Sequence, residues 1–147
     1  MTKTLYIYRG VPGTGKSTKA ANFALENNLH HFEADMFFDW NGQYCFDPNR
    51  LNEAHSWCHD MVRKELKKGN SVVVSNTFTK KWELENYLVT AFEEDAKIVI
   101  TQCCKEYGNI HGVPENKMKV MRERFIDNDE LMEVYKSPDI TWIKLEK

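Results

Sequence analysis

Apolar residues along this chain follow two rhythms that alternate from one end to the other. Short runs rich in β-branched and aromatic residues fall at about 4–9, 30–34, 71–75, 97–103 and 140–145. Each is too brief for a helix and suits a buried, pleated surface. Between them, apolar positions recur three and four residues apart, the helical spacing. The first such stretch, about 16–27, sets Ala20, Phe23, Ala24 and Asn27 on one face. The second, about 49–68, carries Leu51, Ala54, Trp57, Cys58, Met61, Val62 and Leu66 and stops at Gly69, a residue suited to closing a helix. Trp82 to Glu93 makes a third, with Trp82, Leu84, Leu88, Ala91 and Phe92 apolar. Pro114 opens a fourth, because proline is comfortable in a first helical turn, and Met118, Met121 and Phe125 form its inner stripe. Strands alternating with helices wind a parallel sheet covered on both faces. The expected fold is therefore α/β, a three-layer α/β/α sandwich with a mainly parallel five-stranded sheet. The last run, Asp139 to Leu145, alternates with period two and reads as an added edge strand, with Lys144, Glu146 and Lys147 discouraging further pairing.

Two segments lack either rhythm, Phe37 to Asn49 and Tyr107 to Val113. Each follows a strand end, and the carboxyl edge of a parallel sheet is where open α/β folds take their ligands. These loops are expected to flank a substrate. With 147 residues there is room for one domain, 1–147, with a real core. The net charge of −2 supplies no global basic field for a long polyanion and leaves a small or end-on acceptor open. Cys45, Cys58, Cys103 and Cys104 lack metal-knuckle or redox spacing, which points to reduced thiols and a cytoplasmic setting. His55, Cys58 and His59 share a helix face, but a core-facing helix explains them as well as a metal would. No secretory segment and no apolar run near 18 residues is present, so neither secretion nor membrane contact is expected.

The chemistry is concentrated near the start. Gly10-Val11-Pro12-Gly13-Thr14-Gly15-Lys16-Ser17-Thr18 satisfies G-x-x-x-x-G-K-[ST] at every required position, between a predicted strand and a predicted helix. The glycines let the backbone fold around an oxyanion with successive N–H groups turned inward, and the helix N-terminus adds partial positive charge. Gly10, Pro12, Gly13, Thr14, Gly15, Lys16, Ser17 and Thr18 are thus the candidate nucleotide-binding residues, the expected sandwich is of the P-loop NTPase type, and the expected ligands are ATP and Mg²⁺. Lys16 reaches the β- and γ-phosphates, and the Ser17 hydroxyl is the candidate metal ligand.

A kinase also needs a group to orient or deprotonate the accepting hydroxyl. Asp35, read as the first acid after the strand-like His31-Phe32-Glu33-Ala34, takes that place, with Asp39 and Asp47 deeper in the loop as rivals. The third strand ends in Asn76-Thr77, where many P-loop enzymes carry a Mg²⁺-holding aspartate. An amide and a hydroxyl there can contact the acceptor or metal-bound water but bring no charge, which leaves Mg²⁺ mainly to Ser17 and the phosphates. Among the cations after the fourth strand, Lys105, His111, Lys117, Lys119, Arg122 and Arg124, the edge-of-stripe position of Arg122 makes it the first candidate to steady the transferring phosphoryl group. The loop aromatics Phe37, Phe38, Trp40 and Tyr44 could stack a base.

In four blocks the chain resembles the P-loop kinases typified by phage polynucleotide kinase and by the kinase-like domain of Nedd4-binding proteins. They are Gly10 to Thr18; Glu33-Ala34-Asp35-Met36-Phe37-Phe38; Ser75-Asn76-Thr77-Phe78-Thr79 with Trp82-Glu83; and Asn109-Ile110-His111-Gly112-Val113-Pro114 with Met121-Arg122-Glu123-Arg124. The resemblance extends to Phe125. It implies transfer of the ATP γ-phosphate to a 5′-hydroxyl end of DNA or RNA. In that scheme Asp35 is the general base, Lys16 and Ser17 serve nucleotide and metal, and Asn76 orients substrate or phosphate; Asp35, Phe38, Asn76 and Thr77 are the expected acceptor contacts. The phage enzymes carry arginines where this chain has Met36-Phe37-Phe38-Asp39 and Tyr107-Gly108-Asn109-Ile110-His111. Each charge-assisted contact so lost is worth about 1.5–3 kcal/mol. Two other readings fit the same residues: a nucleoside or nucleotide kinase, and an ATP-binding interaction module without catalysis. Kinases of sugars, peptides or antibiotics share the phosphate loop as well.

Overall fold

The computed structural model describes residues 2–107 and 113–145. Its strands are β1 (Thr4–Arg9), β2 (His30–Phe32), β3 (Asp39–Trp40), β4 (Gln43–Tyr44), β5 (Val72–Asn76), β6 (Lys97–Cys103) and β7 (Ile140–Leu145). Its α-helices are α1 (Lys16–Glu26), α2 (Leu51–Lys67), α3 (Lys81–Glu93), α4 (Glu115–Arg124) and α5 (Asn128–Val134). Five strands form one parallel sheet in the order β2-β5-β1-β6-β7, while β3 and β4 pair as a separate antiparallel hairpin. The expected α/β class and sheet are thus what the chain adopts.

Alternation along β1 sets the layers. Leu5 and Ile7 join Val72, Val74, Ile98 and Ile100 in a fully buried core, which Ala54, Cys58, Val62 and Leu66 of α2 and Leu84, Leu88 and Ala91 of α3 cover. Tyr6, Tyr8 and Val73 pack instead with Ala20, Phe23 and Ala24 of α1. The apolar residues of the α1 and α2 stripes lie where their periodicity put them, except that Leu51 is exposed; Asn27, expected on the α1 face, is exposed just past the end of that helix. Trp82 and Phe92, expected inside α3, also face solvent. The Lys80 ammonium lies 5.9 Å from the centre of the exposed Trp82 ring.

Three features escape periodicity. β2 ends at Phe32 instead of continuing to residue 34, because the Ala34 N–H donates to Asn76 Oδ1 (2.9 Å) and the chain turns into a 3₁₀ helix, Ala34–Phe38. The aperiodic segment after it holds the β3–β4 hairpin, turned by Asn41 and Gly42 in left-handed conformation. α5 supplies Leu131 to the core and Asn128 to a buried hydrogen-bond network. β7 is the edge strand that its pattern predicted; Lys144 on it meets Asp127 and Asp129, whereas Glu146 and Lys147 lie outside the described residues. So do His111 and most of the Asn109-to-Pro114 block. Among the described residues, no helix is long and apolar enough to cross a membrane.

Candidate active site

The site is assembled at the carboxyl ends of β1, β2 and β5. Leaving β1, the chain makes a tight loop and enters α1 at Lys16. Gly13 (φ 88°) and Gly15 (φ 75°) occupy the left-handed region that other residues enter only with strain. Gly10 has a different reason for being glycine. A Cβ there would sit 2.5 Å from Thr14 Oγ1 and 2.8 Å from the Cys103 carbonyl oxygen. Thr14 Oγ1 donates to the Val11 carbonyl (2.8 Å), which fixes the loop's curvature from within. From outside, the Tyr107 N–H donates to the Gly13 carbonyl at 2.6 Å, and the Tyr107 ring packs against Gly15. Of the candidate nucleotide-binding residues, Gly10, Pro12, Gly13, Thr14 and Lys16 are buried, Gly15 and Ser17 are partly buried, and Thr18 faces solvent.

Lys16 is only 8% exposed. Burial lowers its pKa below the ordinary lysine value, and the charges of Glu33, Cys103 and Asp35 oppose that shift. An ammonium so desolvated is a ready partner for an incoming anion.

Glu33 is the residue that sequence reasoning passed over. Once β2 ends at Phe32, the first acid beyond the strand is Glu33 and not Asp35. Its Oε2 accepts from the Ser17 hydroxyl at 2.7 Å and from the Ser75 hydroxyl at 2.8 Å. Ser75, with its single proton given to Glu33, must accept from His31 Nε2 (2.6 Å). Burial depresses the His31 pKa, so the ring is held neutral with its proton on Nε2. A line of donors thus runs from His31 through Ser75 of β5 to one carboxylate oxygen of Glu33, which Ser17 in the first turn of α1 meets from the other side. The available signal was the pair of acids two residues apart in Glu33-Ala34-Asp35.

Asp35 lies on the 3₁₀ helix, exposed, and accepts from Tyr44 Oη at 2.5 Å. The Tyr44 phenol is correspondingly pushed above its usual pKa, by burial first and by this carboxylate next. Asp35 is therefore tied to the β3–β4 hairpin, where Trp40, Tyr44 and Phe46 are exposed and the Tyr44 and Phe46 rings stack nearly parallel (8°). Two of the expected acceptor contacts have their side chains engaged within the fold. Phe38 is 4% exposed and packs edge-on against Phe37, Tyr44 and Phe46, so its ring belongs to the core. Asn76 has both ends of its amide engaged, Oδ1 by the Ala34 N–H and Nδ2 toward Cys58 Sγ (3.7 Å), and acts as a clamp on the corner after β2. Thr77 remains partly exposed at the site's edge, and its carbonyl accepts from the Gly10 N–H.

On the β6 side of the loop, a cleft of about 340 Å³ is lined by Val11, Thr14, Gln102, Cys103, Phe125 and Arg122 among others. Arg122 does reach this cleft. Its guanidinium is bound to Glu106 and Glu115, each at 2.8 Å. His55, Cys58 and His59 do not converge. Cys58 is buried beneath Asn76, His59 meets Thr90 and His55 faces solvent, and no metal-ligating cluster of His, Cys, Asp or Glu occurs among the described residues.

Residues 5–107 match the family model described as an AAA domain. Human NEDD4-binding protein 2 is 31% identical over 132 residues; that alignment takes in 82% of this chain, which spans 8% of the relative's length. Among solved structures, a gluconokinase from Sinorhizobium meliloti 1021 superposes with a TM-score of 0.63 at 14% identity, covering 98% of this chain and 83% of that one. A chain of the Pnkp1/Rnl/Hen1 complex superposes with a TM-score of 0.58 at 21% identity, covering 81% and 38% respectively.

Proposed function

The chain belongs to the AAA domain family, with a P-loop kinase-like fold, and from that premise we propose that it is an ATP-dependent kinase acting on a 5′-hydroxyl end of DNA or RNA. In this reading the Gly10–Thr18 loop and Lys16 hold the triphosphate, and the cleft beside Val11 and Phe125 takes the nucleobase. Ser17 offers the hard oxygen that Mg²⁺ prefers, and the ion, when bound, neutralises charge on the phosphates. Asp35 takes the proton of the accepting hydroxyl, whose oxygen bonds to the γ-phosphorus as the bond to the β-phosphate oxygen breaks, leaving ADP and a 5′-phosphate. Lys16 stabilises the negative charge on the transferred group.

One observation carries the choice of acceptor. The hydrogen bond from Tyr44 couples the base Asp35 to a hairpin that presents Trp40, Tyr44 and Phe46 to solvent. An acid joined to an aromatic platform suits a hydroxyl attached to a stacking base. A small-acceptor reading, a nucleoside or nucleotide kinase, draws support from a different fact. Arg122 is already neutralised by Glu106 and Glu115, which leaves less cationic surface for a polyanion. The same pairing is what a non-catalytic ATP-binding module would show.

The test is end-labelling with γ-labelled ATP and 5′-hydroxyl DNA, RNA or mononucleotides. Oligonucleotide acceptors are expected to be labelled in preference to mononucleotides, and Asp35→Asn to label about 10²-fold or more slowly. Preferential labelling of mononucleotides would favour the small-acceptor reading. Binding of ATP with no acceptor labelled would leave the interaction module, and a variant as fast as the parent would remove Asp35 as the base.

A further inference from the structure

β5 ends without the aspartate that often accompanies a phosphate loop, and Asn76 in that slot is turned away, its amide engaged at both ends. The geometry points to Glu33, supplied by the neighbouring β2, as the carboxylate that positions the divalent cation of the bound nucleotide. This assignment rests on the phosphate-loop reading above.

A serine hydroxyl presents its lone pairs to a cation only when its proton is directed elsewhere, and each hydroxyl has one proton to direct. Glu33 Oε2 takes the Ser17 proton at 2.7 Å, which leaves the oxygen lone pairs of Ser17 as the part of the group open to a ligand. The carboxylate is fixed in turn by Ser75 at 2.8 Å, itself held by His31 at 2.6 Å. Among the described residues, no hydrogen bond engages Glu33 Oε1. The side chain is 21% exposed, so it is neither sealed in the core nor free in solvent. Its charge also reaches Lys16, where it is the largest influence opposing the effect of burial. Hard oxygens backed by a hydrogen-bonded carboxylate form the donor set that suits Mg²⁺ or Mn²⁺. Glu33 is thus a positioning residue that acts through Ser17 and adds the negative charge that Asn76 lacks. A purely structural pin joining α1, β2 and β5 would need the two hydrogen bonds but not the charge.

That difference can be measured. Glu33→Gln keeps an acceptor oxygen for both serines and removes only the charge. Mn²⁺ is titrated into the protein saturated with ATP, and bound metal is read by electron paramagnetic resonance; ATP affinity without divalent ion is measured in parallel. In Glu33→Gln the Mn²⁺ affinity of the ATP complex should fall about tenfold or more, with metal-free ATP affinity unchanged or slightly higher. Ser75→Ala, which loosens the carboxylate without removing it, should lower Mn²⁺ affinity less, about threefold, and decides the matter if Glu33→Gln does not fold. Equal Mn²⁺ affinity in a folded Glu33→Gln and the parent, or in Ser75→Ala where only that variant folds, would overturn the assignment while leaving the phosphate loop intact. No ATP-dependent Mn²⁺ binding in the parent would overturn both. Normal Mn²⁺ behaviour without labelling of any 5′-hydroxyl would overturn the acceptor alone, and the loss in Glu33→Gln would still support this role.

Discussion

Arg9, the last residue of β1, is 1% exposed, a rare fate for a guanidinium. Its Nη1 donates to Asn128 Oδ1 (2.9 Å) and its Nη2 to the Phe78 carbonyl (3.0 Å), while the group lies 4.1 Å over the Phe125 ring. Burial brings its pKa down to about 10, still charged at neutral pH. Three segments distant in sequence are thereby fastened behind the phosphate loop. Arg9→Met should lower unfolding stability by about 2–4 kcal/mol, because Asn128 Oδ1 and the Phe78 carbonyl would stay buried without a donor. Urea denaturation checks this, and a loss as small as an exposed position gives would deny Arg9 that role. Nothing in the sequence marks Arg9, since its importance comes from partners near residues 78, 125 and 128. Glu33 was obscured in the same way, its partners being Ser17 and Ser75. Lys16, Ser17 and the loop glycines were legible as a group because a local pattern of nine residues marks them, whereas the burial of Phe38 and the amide pairing of Asn76 are tertiary facts that no local pattern carries.

Elements were readable in proportion to their length. β1 and β6 run where their apolar runs lie, and α1, α2 and α3 match their stripes to within a residue or two at the ends. The 3₁₀ helix, the two-residue strands of the hairpin and the seven-residue α5 are too short to complete a recognisable period, so pattern reading did not identify them. The phosphate loop is itself an element with little tolerance. At Gly10→Ala the new methyl meets Thr14 Oγ1 and the Cys103 carbonyl oxygen, and Thr14 can yield only by giving up its bond to Val11. The variant should bind ATP roughly tenfold or more weakly, as seen by calorimetry, while its thermal unfolding moves much less. Equal loss of binding and stability would show that the strain spreads beyond the loop.

At the scale of the molecule, the helices over the sheet carry a pH limit. His59 of α2 lies against the Tyr87 ring, and its Nε2 donates to Thr90 Oγ1 at 2.6 Å, since the Thr90 proton is given to the Asn86 carbonyl. Burial first, and Arg63 second, hold its pKa below the ordinary 6.5, with Asp60 and Glu93 acting the other way. Below pH 6.5 the unfolded chain takes up a proton that the native imidazole resists. Stability should therefore be full above that value and decline as pH falls through the native pKa. Melting temperatures followed from pH 7.5 to 5 should show this decline, and His59→Asn should make it shallower, with the partly buried His31 supplying the remaining slope. The order of the sheet has a separate bearing on how the chain comes into being. β1 lies between β5 and β6, whose residues follow it by some 65 to 95 positions. A nascent polypeptide leaving the ribosome thus has its glycine-rich loop without both flanking strands until β6 has emerged, so the loop cannot reach its final support early in synthesis.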